Sequence, residues 1–184
     1  MLKGVILGIA LAVLAIVVCG YVLVSTASIP AAAAGAKPIW PERWAASSSL
    51  RANLARWAPR GPNPVPLTQA NLVAGINLYA DHCAICHGDA KGDASESPVA
   101  KGEYPKPPQL ASHGVEDDPQ GWTFWKIKYG IRWTGMPSWQ DHLNDQQIWT
   151  LTLFLNQMDK LPPAAQQAWQ RVQNMAGVHL AMQH

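Results

Sequence analysis

Sustained alternation of apolar and polar residues is missing from this 184-residue chain, so nothing in it reads as an amphipathic strand. Its absence removes the strand–helix alternation expected around a thioredoxin-like dithiol. Cysteine is scarce. Of the three present, Cys19 lies inside an apolar run far from Cys83 and Cys86, so a closed four-ligand zinc site would have to recruit His82 or a distant histidine. Charge is sparse as well: charged residues make up 14% of the chain and the net charge is +2, too little for a nucleic-acid surface. No internal repeat is visible, and Cys-x-x-Cys-His occurs once.

What is present centres on Cys83-Ala84-Ile85-Cys86-His87. C-x-x-C-H is the attachment pattern of c-type haem. Two thiols three residues apart on one turn can each bond a vinyl group, and the adjacent histidine is the residue type that supplies a proximal ligand. A second axial ligand is then needed, or a deliberate vacancy. Met1 belongs to the apolar amino end, Met158 falls within a helical pattern, and Met175 and Met182 lie in a polar tail. Met136 stands apart, between Gly135 and Pro137, where a tight non-helical course leaves its side chain free to meet iron. The alternatives are a methionine that fills a core gap, or ligation by His113 or His142.

Helical signals surround this motif. Thr68 can cap a helix running to Asp81, with Leu72, Ile76 and Tyr79 on one face. Gly75, costly within a helix, marks a close approach by another backbone. Asn144 with Gln147 resembles a capping box opening a helix through Ile148, Leu151, Leu155 and Met158, its apolar face widened by Trp149 and Phe154. A third helix is expected from Asp118 to Tyr129, with Pro119 at its first position. Between them lie loops rich in glycine and proline that have little to pack against without a cofactor. Trp122, Trp125, Trp133, Trp139 and Trp149 supply apolar area. One or two of these indoles, or Arg132, can serve a haem propionate; the rest read as core or surface.

From Thr68 to Asp159 the order of these motifs resembles a class I monohaem cytochrome c domain of the small bacterial membrane-anchored type: helix, C-x-x-C-H, the stretch Tyr104 to Leu110, a further helix, Gly-Met-Pro and an aromatic helix. The resemblance implies an all-α domain wrapped round one haem c, held covalently through Cys83 and Cys86 and ligated by His87 and Met136. It also implies that the two terminal helices cross at Gly75, and that the haem domain works outside the cytoplasm.

Gly4 to Val24 is an uncharged apolar run of 21 residues, long enough as a helix to cross the roughly 30 Å hydrocarbon core. Lys3 flanks it on the inner side. A cleaved signal peptide is the alternative, with Ser25-Thr26-Ala27 a passable cleavage site. Val18 before Cys19 argues against a lipoprotein and leaves Cys19 an ordinary buried thiol.

An Ala-rich linker follows from Ser28 to Lys37, then one short helix on which Leu50, Leu54 and Trp57 share a face, ended by Pro59 and Pro62. Residues 1–67 carry six basic groups against Glu42, net +5, and residues 68–184 eight against eleven, net −3. The basic arm therefore suits anionic lipid, with Trp40, Trp44 and Trp57 at the interface, or docking on the acidic haem domain or a partner. The expected organisation is an anchor at 1–27, linker and arm at 28–67, a cytochrome domain at 68–160 and a surface extension at 161–184, helical to about Met175, with His179 and His184 solvated. With six-coordinate iron the chain would be a periplasmic, membrane-tethered one-electron carrier of a respiratory chain, or the cytochrome subunit of a larger redox complex. It would exchange electrons with redox protein partners and catalyse nothing itself. The alternative is a haem enzyme or gas-binding sensor with an open distal site.

Overall fold

The computed structural model describes residues 2–26, 35–90, 92, 94–95, 97–112 and 114–172. His113, His179, His184, Met175, Met182 and most of the Ala-rich linker lie outside the described residues. The chain divides into two units, Met1–Lys37 and Pro38–His184. Among the described residues all regular structure is helical, apart from an isolated bridge between Asp89 and Gly92.

The first unit holds α1, Leu2–Ser25, none of whose side chains is buried. Its 24 residues extend about 36 Å at 1.5 Å each, so it is long and apolar enough to cross a bilayer. Cys19 is exposed on it and is not buried in a protein core.

The second unit begins with α2, Trp40–Trp57, which stops at Ala58 because Pro59 follows and forces the preceding residue out of helical geometry. Of the expected apolar face only Leu54 is buried; Leu50 is half-buried and Trp57 is exposed beneath the Arg56 guanidinium, 5.1 Å from its ring centroid. The end of α2 is docked. Ala58 and Val65 are buried, Asn63 Nδ2 donates to the Trp149 carbonyl at 3.0 Å, and a Cβ on Gly121 would lie 1.8 Å from the Pro59 carbonyl oxygen.

Helix α3, Gln69–His82, opens on Thr68, whose hydroxyl accepts from the Asn71 amide at 3.2 Å. The one-turn α4, Ala84–His87, and short α5, Pro98–Gly102, follow. Helix α6, Gln120–Tyr129, begins one residue later than expected: Pro119 is its cap, its carbonyl taking the Trp122 amide at 2.7 Å. Helix α7, Asp145–Asn156, has the full capping box of Asn144 and Gln147. It crosses α3 where expected. A Cβ on Gly75 would stand 2.6 Å from the Thr150 carbonyl oxygen and 2.7 Å from Phe154 Cβ, closer than any side chain allows.

After a 3₁₀ turn at Met158–Lys160 comes α8, Pro163–Arg171. For residues 163–172 the surface-extension expectation is overturned. Ala165, Trp169 and Val172 are buried, and the Trp169 ring meets Tyr79 and Phe154 at centroid distances of 5.5 and 5.2 Å. The core thus joins α3, α6, α7 and α8, with Phe124 stacked on Trp149 at 4.2 Å. Trp122, Trp125 and Trp139 are half-buried, whereas Trp133 is exposed.

Candidate haem-binding site

The end of α3 delivers the cysteine pair. The Cys83 amide still donates to the Tyr79 carbonyl at 2.8 Å, and the Cys83 carbonyl starts the next turn by accepting from the Cys86 and His87 amides at 3.1 and 2.9 Å. Gly88 then reverses the chain at φ 78°, a conformation that suits glycine. Beneath the turn, the buried Tyr79 hydroxyl donates to the Gly88 carbonyl at 2.8 Å and reaches the His87 carbonyl at 3.2 Å. Burial pushes this phenol well above its ordinary range, so it stays a donor.

The segment after α5 clamps the same turn from outside. The Leu110 amide donates to the His87 carbonyl at 3.0 Å, and Gln109 Nε2 donates to the Cys86 and Pro107 carbonyls, each at 3.0 Å. His87 Nδ1 lies 2.7 Å from the Pro108 carbonyl oxygen. A carbonyl only accepts, so this contact assigns the proton to Nδ1 and leaves Nε2 with a free lone pair for a metal. Burial lowers the imidazole pKa, against the Pro108 carbonyl and the Glu103 charge, which raise it.

Cys83 and Cys86 are not joined in a disulfide. Burial, with the neighbouring Cys86, pushes the Cys83 thiol up to about 12; burial, then the charge and hydrogen bond of Glu103, pushes Cys86 up to about 11. Among the described residues no group of three or more histidine, cysteine or acidic side chains is placed to hold a metal ion. His82 instead packs on Trp139 at 4.9 Å. Two neutral thiols on one turn and an imidazole with a bare Nε2 suit an iron porphyrin better than a bare ion.

Met136 is half-buried and packs on the same core as Cys83. Its loop is knitted to α6. The Ile131 amide donates to the Met136 carbonyl at 3.2 Å, the Met136 amide to Thr134 Oγ1 at 3.0 Å, and the Trp139 amide to the Ile127 carbonyl at 3.2 Å. Gly130, at φ 69°, lies so close beneath that a Cβ would sit 2.8 Å from the Met136 carbonyl oxygen. Within this loop Trp133 takes φ 65°, strained for a bulky residue, and is 87% exposed. Arg132 is exposed, as is His142, whose ring lies 6.3 Å from Trp139.

Glu103 joins the two halves of the site. Its Oε1 lies 3.6 Å from Cys86 Sγ, and its carboxyl group covers Gly135, where a Cβ would meet Cδ at 2.3 Å. Sequence reasoning passed over Glu103 and the roles of Pro108 and Tyr79. A main-chain acceptor such as the Pro108 carbonyl leaves no mark in side-chain chemistry.

Residues 70–155 match the family model described as cytochrome C oxidase, cbb3-type, subunit III. No curated protein and no solved structure matches the chain. Proteins of the matched kind carry covalently bound haem c and work by haem-based electron transfer. The matched span contains the C-x-x-C-H turn, its Pro108 clamp and the Met136 loop. Its helical frame and its sequence agree: the chain carries a class I monohaem c-type cytochrome domain over residues 70–155.

Proposed function

We propose that this chain is a membrane-tethered one-electron carrier, in which Cys83 and Cys86 would hold a single haem c covalently and His87 and Met136 would ligate its iron. The observation that carries this reading is the 2.7 Å contact between His87 Nδ1 and the Pro108 carbonyl, which presents Nε2 as a neutral donor in a fixed orientation. Bound there, haem c supplies reversible exchange of one electron between ferrous and ferric iron. Tyr79 and Gln109 hold the His87 turn still from either side, and the Met136 loop is pinned by main-chain bonds. A site fixed in this way reorganises little on electron transfer. With Met136 also ligating the iron, a bound haem would offer no open position to a substrate, and the chain would serve as a carrier.

The α1 helix tethers the domain to the cytoplasmic membrane as a single pass, with Lys3 inside and the haem domain on the periplasmic side. The matched family model is described as an oxidase subunit, which favours service as the cytochrome subunit of a larger respiratory complex over a free carrier. In carbonate-washed membranes, peroxidase staining after denaturing electrophoresis should reveal haem on a band of about 20 kDa. Redox titration should give one single-electron wave, and protease added to spheroplasts should remove the stain. No stain after denaturation would end the covalent reading; stain that survives protease would reverse the orientation.

Helix α2 supports a second contact with the bilayer. Trp40 and Trp44 are 74% and 61% exposed and stack at 6.3 Å, beside the exposed Arg43 and Arg51. Tryptophan and arginine are at home in the headgroup region. Reconstituted in anionic bilayers, the full chain should lose Trp fluorescence to headgroup-proximal brominated lipid. A Trp40→Phe/Trp44→Phe variant should lose much less. Equal quenching in both would place the pair away from lipid.

A further inference from the structure

We propose that Glu103 sets the redox poise of this centre: its carboxylate is a fixed negative charge between the Cys86 turn and the Met136 loop that favours the oxidised state. The inference rests on the haem c reading above and adds a residue to it.

The carboxylate is held in place by what surrounds it. Glu103 directly follows α5, which opens on Ser97; the Ser97 hydroxyl caps the Ala100 amide at 3.1 Å and bonds the Ile85 carbonyl of α4 at 3.2 Å. On the other side, the Tyr104 hydroxyl donates to Glu42 Oε1 of α2 at 3.1 Å. The main chain at Glu103 is therefore pinned both to the haem-motif turn and to the arm. Its side chain reaches Cys86 Sγ at 3.6 Å, and its carboxyl group occupies the space over Gly135 that any side chain there would fill.

Among the described residues no lysine or arginine pairs with this carboxylate, whereas Asp118 and Asp145 have Lys126 and Lys128. Once Cys86 is a thioether it has no proton to give, and what remains of the contact is Coulombic. Oxidation adds one positive charge to the centre. A half-buried carboxylate a few ångströms from the attachment sulfur stabilises that state more than the reduced one, and so lowers the reduction potential.

The test is a spectroscopic redox titration of the full-length holoprotein and its Glu103→Gln, Glu103→Ala and Glu103→Asp variants at one pH and ionic strength. At the wild-type midpoint, where reduced and oxidised forms are equal, Gln and Ala should shift the ratio roughly three- to tenfold toward reduced. Tenfold corresponds to 59 mV for one electron. Asp, which keeps the charge, should stay near wild type. Midpoints unchanged in both Gln and Ala would overturn the proposal. So would an order set by size, in which Asp and Ala depart while Gln does not. Failure of the underlying reading would show separately, in wild type, as absence of the haemochrome spectrum and of the far-red band of methionine-bound ferric haem.

Discussion

Replacing Met136 with alanine should abolish the far-red band of the ferric protein, let the reduced protein bind carbon monoxide at neutral pH, and lower the midpoint potential. The effect should be local. The bonds that hold this loop run from the Ile131 amide to the Met136 carbonyl and from the Met136 amide to Thr134, and alanine keeps both main-chain groups. What is lost is the thioether sulfur. Methionine as sixth ligand favours ferrous iron and raises the potential. Axial ligation spans roughly 0.8 V across haem proteins, so this substitution should move the midpoint further than any change of surface charge. The comparison with wild type also decides between function classes. A carrier resists carbon monoxide until Met136 is removed. If wild type lacks the band and binds carbon monoxide readily, the distal side is open and a haem enzyme or gas sensor takes precedence. Such an enzyme would also need an acid–base group over the haem, and the exposed His142 packs against Trp139.

The features that sequence made legible are those whose signal is local. Thr68 and the Asn144/Gln147 pair cap their helices through bonds spanning three residues, and such bonds are written into adjacent letters. Gly75 was legible for a related reason, since glycine within an apolar helical face is costly unless another backbone takes the space, here that of Thr150. The C-x-x-C-H motif is legible because its chemistry is fixed by spacing. Other features depend on what the chain brings back from a distance. Trp57 and Leu54 share a helical stripe, yet Leu54 is buried and Trp57 is exposed. Ala165, Ala168, Trp169 and Val172 do recur at helical spacing, but nothing adjacent to them says what that stripe meets, and Trp169 becomes a core residue because Tyr79 and Phe154, on other helices, leave room for an edge-on ring. Glu103 acquires its meaning from Cys86 and Gly135, 17 residues before it and 32 after.

Substituting Trp169 with alanine should cost about 3–5 kcal/mol of stability, the usual range for removing a buried large aromatic, and its consequences should reach the haem site. Trp169 is 4% exposed and packs edge-on against Tyr79 at 5.5 Å, while Phe154 meets Tyr79 from another direction, also at 5.5 Å. Those two rings position the Tyr79 hydroxyl, which in turn holds the Gly88 and His87 carbonyls at 2.8 and 3.2 Å. A cavity beside Tyr79 frees that hydroxyl to drift and loosens the turn carrying His87. Two observables therefore move together: the thermal midpoint by far-UV circular dichroism, and the temperature at which the far-red band fades. Trp169→Phe refills much of the cavity and should recover most of both. Tyr79→Phe separates the contributions, because it keeps the ring packing and removes only a buried hydrogen bond, at about 1–3 kcal/mol. It should lower the fading temperature of the band more than its stability loss alone predicts. A cost below about 1 kcal/mol for Trp169→Ala would mean that α8 contributes nothing to this core, and the link from Trp169 through Tyr79 to His87 would fall with it.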